Sequence, residues 1–175
     1  MLLVGRDRGT AAAGGVRAVR ALALGLALSG ASSTQGAAQD GVYPGPYYGE
    51  VIRVIDGDTL EALIGIWPTV RAEVSVRLKG IDAPETFRPA CEAERYYGHI
   101  AATNLADTLP PGAPIRLSDV EADVWSGRVA AEVWRDNPDR DTDVARLLLG
   151  DGVVRRWRPG QDPIDWCAIL ARGGR

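Results

Sequence analysis

The chain has 175 residues, which fits one domain with a tail, and 46% of them are hydrophobic, enough to bury a core. Its 25% of charged residues carry both signs, with a formal net charge of −3, and this excludes a wholly disordered chain. The 21 glycines and 11 prolines follow no repeat, which excludes a collagen-like fibre, and two cysteines with one histidine exclude a closed zinc site of the Cys/His type.

The amino terminus predicts a secretory signal peptide over residues 1–38. Four arginines precede a short apolar run, Ala21–Leu28, and Gly36-Ala37-Ala38 then supplies the small residues that a signal peptidase requires. A membrane anchor is the alternative, but the run is far shorter than the roughly 20 residues of a spanning helix. We therefore expect cleavage after Ala38 and a secreted or periplasmic protein. Removal of the four arginines makes the mature chain more acidic than the full chain.

Residues 39–48 are rich in Pro, Gly and Tyr and predict a linker, so we expect one domain over 49–175. The first half of this domain predicts three strands: Glu50–Ile55, Leu60–Ile64 and Val74–Lys79. The first two are joined by Asp56-Gly57-Asp58-Thr59, since Asp-Gly between apolar runs favours a tight turn. The third alternates apolar and polar residues, which places Arg77 on the face opposite the apolar side chains.

A helix follows the three strands. The segment Glu92–Leu109 predicts this helix, and Pro110-Pro111-Gly112 ends it. Its apolar face is formed by Ile100, Leu105 and Leu109.

The remaining predicted elements are short. Extended segments are expected at Ile115–Leu117, Val129–Trp134 and Val153–Trp157. A second helix is expected to be capped by Thr142 or Asp141, to run to Leu149 and to be closed by Gly150. A short third helix is expected to have Asp162 as its cap and Pro163 as its first residue. The order predicts an α+β, mainly β fold, a five-stranded OB-type Greek-key barrel with two to three helices.

Cys91 and Cys167 are the two cysteines of the chain. An even count in an exported chain favours one disulfide. Two unpaired, buried thiols are the alternative. A bridge between these cysteines would tie the end of the chain to the start of the first helix.

Three segments resemble, in order and spacing, the staphylococcal-nuclease (thermonuclease) family. They are Val54-Ile55-Asp56-Gly57-Asp58-Thr59, then Arg77-Leu78-Lys79-Gly80-Ile81-Asp82-Ala83-Pro84-Glu85-Thr86, and Gly127-Arg128 at the start of a strand. Each segment alone is a common turn or loop, whereas the three in order form a specific signal. The resemblance implies a secreted, calcium-dependent nuclease that cuts DNA and RNA.

The resemblance implies that Arg77, Glu85 and Arg128 are catalytic. Hydrolysis of a phosphodiester builds negative charge on the phosphoryl oxygens, and a planar guanidinium can donate two parallel hydrogen bonds to them. The Glu85 carboxylate would orient or deprotonate the attacking water. Arg128 has an alternative interpretation as a surface ion pair with Asp123 or Glu121, but such a pair contributes only about 0–1 kcal/mol.

The resemblance also implies a Ca²⁺ site held by Asp58, Asp82 and the carbonyl of Ala83. Hard cations prefer oxygen ligands, and a bound cation would neutralise the phosphate. Alternatively, the two aspartates are solvated loop carboxylates. This is the weaker interpretation, because two carboxylates are expected beside two arginines. Asp56 is interpreted mainly as the cap of its own turn.

Substrate contacts are predicted for Arg156, Trp157 and Trp125. The two tryptophans could stack on bases, and packing in the core or over the barrel end is an equally strong interpretation. His99, within the predicted helix, is interpreted as incidental.

The sequence departs from the family pattern in three places. The turn before Arg128 is one residue longer than usual, the Arg155–Arg158 stretch is shorter than the family's substrate strand, and there is no room for a long final helix. The acidic charge also opposes a polyanionic substrate, so we expect weak, salt-dependent binding.

Two other classes of function remain open. An OB barrel can bind oligonucleotides or oligosaccharides without cutting them, and it can serve as a scaffold for assembly. A pure binding module needs neither both arginines nor all three carboxylates, which favours catalysis. Nothing in the sequence marks an assembly surface, and we expect a monomer.

Overall fold

The computed structural model describes residues 41–123, 127–137 and 142–173. The predicted signal peptide, its cleavage site after Ala38, and Trp125 lie outside these residues. No helix within the described ranges is long and apolar enough to cross a membrane.

Over the described residues the chain forms eight strands and three helices. The strands are β1 (Tyr47–Val54), β2 (Thr59–Trp67), β3 (Val70–Leu78), β4 (Ile81–Asp82), β5 (Pro114–Ala122), β6 (Arg128–Arg135), β7 (Thr142–Asp143) and β8 (Arg155–Arg156). The helices are α1 (Glu92–Thr108), α2 (Val144–Asp151) and α3 (Trp166–Ala171).

Five of the strands close into a barrel. Their order is β3-β2-β1-β5-β6, with antiparallel neighbours throughout, and β6 returns to pair with β3 in parallel. Short β7 extends β6 at its outer edge, while β4 and β8 form a separate two-stranded ladder. The predicted mainly β, OB-type barrel with helices is confirmed.

The core lies inside this barrel. In β3 the predicted alternation is confirmed, because Val76 and Leu78 are buried and Arg77 lies on the other face. The helix α1 covers the barrel with Ala101 and Leu105, and Leu109 directly follows it; all three are fully buried. Other fully buried core residues come from β1, β2, β4, β5, β6 and α2: Val51, Leu60, Ile81, Ile115, Leu117, Val133, Val144 and Leu148.

The first predicted helix face needs one correction. Leu105 and Leu109 are buried as expected, but Ile100 is only half-buried and its neighbour Ala101 packs into the core instead. A small side chain is required at that position because the Asp56–Thr59 turn lies directly against the helix there: a Cβ built on Gly57 would lie 2.6 Å from that of Ala101.

Two predicted helix caps, Thr142 and Asp162, were wrong by one and three residues, and the alternative cap Asp141 lies outside the described residues. Thr142 and Asp143 pair with β6, so α2 begins only at Val144, with Asp143 as its cap accepting from the backbone N–H of Arg146 at 3.2 Å. Gly150 lies inside α2, and Gly152 closes it with a left-handed φ of 75°.

The last helix also starts later than predicted. Asp165, rather than Asp162, caps α3 by accepting from the N–H of Ala168 at 2.9 Å. Pro163 precedes the helix and lines a groove of the barrel. The strand β1 begins earlier than expected because Tyr47–Glu50 pairs with β5, which extends β1 into the predicted linker. The strand β5 runs on to Ala122 because its second half pairs with β6.

Candidate active site

A groove of about 600 Å³ lies beside the barrel, where the two loops after β1 and β4 meet strands β3 and β6. Seven residues predicted from the sequence line it: Asp58, Arg77, Asp82, Ala83, Glu85, Arg128 and Trp157. The loops therefore bring together most of the side chains that the three sequence segments singled out.

Barrel closure places the two arginines on one face. In the parallel ladder between β3 and β6, Ser75 pairs with Arg128 and Arg77 pairs with Ala130. Ala130 lies two positions after Arg128 on β6. Side chains of residues i and i+2 on a strand share a face, so Arg77 and Arg128 both project from the outer side of the barrel wall. The longer turn before Arg128 does not remove it from the groove.

Arg77 bridges two carboxylates. Its Nη1 donates to Asp58 Oδ1, and its Nη2 donates to Asp82 Oδ1 at 2.9 Å. Burial opposes the charge on this guanidinium, but the two carboxylates outweigh burial, and the pKa of Arg77 is raised above its ordinary value.

Asp58 is the most buried carboxylate of the groove, with 3% of its surface exposed. Its Oδ2 accepts from the backbone N–H of Ala83 at 2.9 Å, and its Oδ1 also accepts from Thr59 Oγ1 at 3.0 Å. Burial raises the pKa of Asp58 to about 6, against the opposing charge of Arg77 and with a contribution from Asp56. Asp56 itself accepts from the N–H of Asp58 at 3.0 Å, as a turn cap does.

Asp82 is held from two sides. Its Oδ1 accepts from Arg77, and its Oδ2 accepts from Trp166 Nε1 at 2.9 Å. Burial raises the pKa of Asp82, while the indole hydrogen bond and Arg77 act to lower it. Trp166 was not predicted from the sequence, because it lies 84 positions from Asp82 and no motif joins the two.

The loop that carries Glu85 is held by helix α1. Glu94, only 8% exposed, accepts from the backbone N–H of Ala90 at 2.6 Å and of Glu85 at 3.4 Å. Gly98 lies against the same loop, since a Cβ there would be 2.7 Å from the carbonyl oxygen of Pro84. The Glu85 side chain is exposed and accepts from the loop's own backbone.

Glu94 was also missed by the sequence analysis, although a signal was present. It stands three residues after Cys91, the cap residue of α1, where a glutamate commonly reaches back to backbone N–H groups before the helix. Here it reaches further, into the loop of the groove.

Arg128 forms an ion pair with Asp123, one of the two partners considered from the sequence. Its Nε lies 2.6 Å from Asp123 Oδ2, and the two side chains are 24% and 9% exposed. The pair is therefore partly buried and lies within the groove. The other candidate, Glu121, pairs with Lys79 at 3.0 Å.

The predicted substrate residues lie in two places. Trp157 lines the groove, and its backbone N–H donates to Gly80 at 3.1 Å. Arg156 is exposed on β8 and lines a second cavity, of about 890 Å³, together with Arg155 and Arg172.

The predicted disulfide is confirmed. Cys91 and Cys167 are bonded, with Cα atoms 6.1 Å apart, and the bond closes a loop over a sequence separation of 76. It joins the residue that caps α1 to α3.

The electrostatics of the groove suit a hard cation. Among its described lining residues are seven carboxylates and two guanidinium groups. Asp58 is buried and Asp82 half-buried, and burial raises the pKa of each, so a bound cation would favour the ionised form of both. Carboxylate oxygens are the ligands that calcium prefers, so this donor set fits Ca²⁺.

The fold and groove define an OB-type barrel protein with a carboxylate and guanidinium site on its outer wall. Among curated proteins, the chain is similar to the micrococcal nuclease of Shigella flexneri, with 27% identity over 124 residues. The similar stretch covers 68% of this chain and 63% of that protein, so the chain spans less than two-thirds of its relative's length. No protein-family model matches the chain. The similarity supports a distant relationship to a nuclease.

Proposed function

We propose that the protein is an exported, calcium-dependent nuclease that hydrolyses phosphodiester bonds of DNA and RNA in this groove. The observation that carries the proposal is the convergence of two guanidinium groups and three acidic side chains, Asp58, Asp82 and Glu85, on one open cavity. The similarity to a micrococcal nuclease supports the same class of reaction.

In the proposed mechanism the arginines stabilise charge. As water attacks the phosphorus, negative charge grows on the phosphoryl oxygens, and Arg77 and Arg128 donate hydrogen bonds to those oxygens. Loss of one such donor typically lowers the rate by about 10²–10³. Both side chains are half-buried beside a barrel wall, so they are held in place before substrate binds.

Glu85 accepts a proton from the attacking water or orients it. Its carboxylate is exposed, and its position is set by backbone bonds on either side: Oε1 accepts from the N–H of Phe87 at 2.8 Å, while Glu94 holds the backbone of Glu85 itself. A base within reach of a positioned water contributes typically about 10²–10⁴ in rate.

Asp58 and Asp82 would hold the Ca²⁺, with the Ala83 carbonyl as a further oxygen ligand. When bound, the cation neutralises part of the phosphate's negative charge. This contribution matters here because the groove is rich in carboxylates and would otherwise repel a polyanion. Trp157 lines the same groove and is proposed to contact a base of the substrate.

The proposal is tested by digestion of single-stranded DNA and RNA with calcium and with a chelator. We expect cutting in calcium and none in the chelator. Asp82→Asn removes a proposed ligand and should abolish cutting, whereas the matched control Asp107→Asn, on the solvent side of α1, should cut like the wild type. Binding of the oligonucleotide without cutting in calcium would contradict the nuclease and favour a binding module.

Export and domain boundaries are part of the proposal. We propose that residues 1–38 are removed as a signal peptide and that the domain over 49–175 acts as a monomer. Mass spectrometry of the protein recovered from the periplasm and the medium should show a chain that begins near Gln39. Recovery of the intact chain from the cytoplasm alone would contradict export.

A further inference from the structure

Trp166 lies outside the sequence motifs and lines the groove. The indole is 6% exposed, and its Nε1 donates to Asp82 Oδ2 at 2.9 Å. Because Arg77 binds the other oxygen of Asp82 at 2.9 Å, the two donors together fix the plane of this carboxylate.

The helix that carries Trp166 depends on a covalent tether. The helix α3 has six residues, and helices of this length are not stable alone. Cys167, the next residue, is bonded to Cys91, the residue directly before α1. The carboxylate of Glu94, which holds the Glu85 loop, lies 3.7 Å from the Cys167 sulfur. The disulfide therefore lies between Trp166, which contacts Asp82, and Glu94, which contacts the backbone of Glu85.

We propose that Trp166 is a positioning residue for Asp82, and that the Cys91–Cys167 disulfide holds it there, so that oxidation of this cysteine pair switches the groove on. The inference rests on the proposed nuclease function. It adds redox regulation to that function: the chain made under reducing conditions has an incomplete site, and the site is completed where disulfides form.

The chemistry of the switch is thiol–disulfide exchange. A dithiol reductant breaks the Sγ–Sγ bond, its own two sulfurs are oxidised to a cyclic disulfide, and two electrons and two protons pass to Cys91 and Cys167. The reaction runs in reverse with a disulfide oxidant. Reduction releases α3 from α1 and with it the indole from Asp82.

The first test separates the hydrogen bond from packing. Trp166→Phe keeps an aromatic ring and removes the N–H. The matched control is Trp134→Phe, which removes an indole bond to Ser118 Oγ of 3.0 Å on the barrel wall between β5 and β6. Residues that orient a metal ligand typically change affinity or activity by about 10–100-fold, so we expect Trp166→Phe to lower kcat and calorimetric calcium affinity by that factor with KM unchanged.

The outcomes of this test are distinct. Equal kcat and calcium affinity in Trp166→Phe and wild type would overturn the positioning role while leaving the nuclease intact. A loss of the same size in Trp134→Phe would overturn it as well, because the effect would then be general. A wild-type protein that does not cut would remove the proposed function, and this inference with it.

The second test follows the effect of the disulfide on Trp166 without measuring activity. In nitrogen-15-labelled protein, the indole N–H of Trp166 is identified by its loss in Trp166→Phe, and its solvent exchange is followed before and after reduction by a dithiol. We expect slow exchange in the oxidised protein and fast exchange after reduction, with the Trp134 indole unchanged. Unchanged exchange at Trp166, or equal acceleration at both indoles, would overturn the switch.

Discussion

Two sets of arginine ion pairs in this barrel differ in burial and in what they can do. On the β1–β2 wall, Arg53 meets Glu61 at 2.7 Å with side chains 58% and 31% exposed. In the groove, Arg77 meets Asp58 and Asp82 with its own side chain 20% exposed and that of Asp58 5% exposed. Both sets join a guanidinium directly to carboxylate oxygen, but solvent screens the first far more than the second.

Burial, rather than pairing, distinguishes Arg77, the arginine that we propose acts on the phosphate, from Arg53. An exposed pair contributes about 0–1 kcal/mol. In the groove one guanidinium pairs with two carboxylates, and burial raises the pKa of both Asp58 and Asp82 although Arg77 acts to lower it. Such a cluster is suited to binding a cation or to directing an arginine towards a phosphate.

Within this comparison the greatest effect is expected at Arg77, the half-buried arginine of the groove. Arg77→Lys should lower kcat on single-stranded DNA by about 10²–10³, because a lysine cannot present the planar fork that donates to two acceptors at once. Arg53→Lys, on the exposed wall, is the matched control and should keep wild-type kinetics. Steady-state rates in calcium measure both. Equal rates for the two variants would erase the proposed difference between the two regions.

The disulfide beside the groove should contribute more to the free energy of unfolding than the exposed ion pair does. Replacing both Cys91 and Cys167 by serine should lower the free energy of unfolding by about 2–4 kcal/mol, since the bond closes a long loop. Chemical denaturation of the double variant and wild type measures this. An unchanged midpoint would mean that the tether does not restrict the unfolded chain.

The pH dependence of stability has an unusual sign at Asp58. Its pKa is about 6 in the folded chain, against the ordinary value of 3.8 for a free side chain, so between these values the folded chain keeps a proton that the unfolded chain releases. With a chelator present, this carboxyl should therefore make the free energy of unfolding fall as pH rises from about 4 to about 6. Asp58→Asn should flatten that fall in denaturation curves. Parallel pH profiles for variant and wild type would contradict the burial of an ionisable Asp58.

The smallest effect is expected on the exposed wall. Arg53→Ala should change the free energy of unfolding by no more than about 1 kcal/mol, because solvent already screens its pair with Glu61. Urea denaturation measures the change. A loss as large as that of the disulfide variant would show that exposure does not separate the two regions.

Much of the fold follows from local sequence pattern. Alternation over Val74–Lys79 predicted which face Arg77 would take, and the Asp56–Thr59 turn predicted the first hairpin, because both depend on neighbours along the chain. The helix starts were less accurate, since Thr142 and Asp143 pair with β6 in preference to starting α2.

The candidate site was predicted only in part, for a physical reason. The motif residues converge because short loops bring them to one end of the strands, and their spacing carries that information. Trp166 and the parallel pairing of β3 with β6 depend on contacts between distant parts of the chain. No local periodicity encodes such contacts.

If this groove cuts phosphodiesters as proposed, removing the charge of Glu85 should disable it. Cleavage of single-stranded DNA in calcium would be compared for wild type, Glu85→Gln and Glu92→Gln, a control at a side chain 85% exposed in the first turn of α1. We predict full activity in wild type and Glu92→Gln, and a loss of about 10²–10⁴ in Glu85→Gln. Equal cutting by all three proteins would contradict the assignment of the groove as the active site.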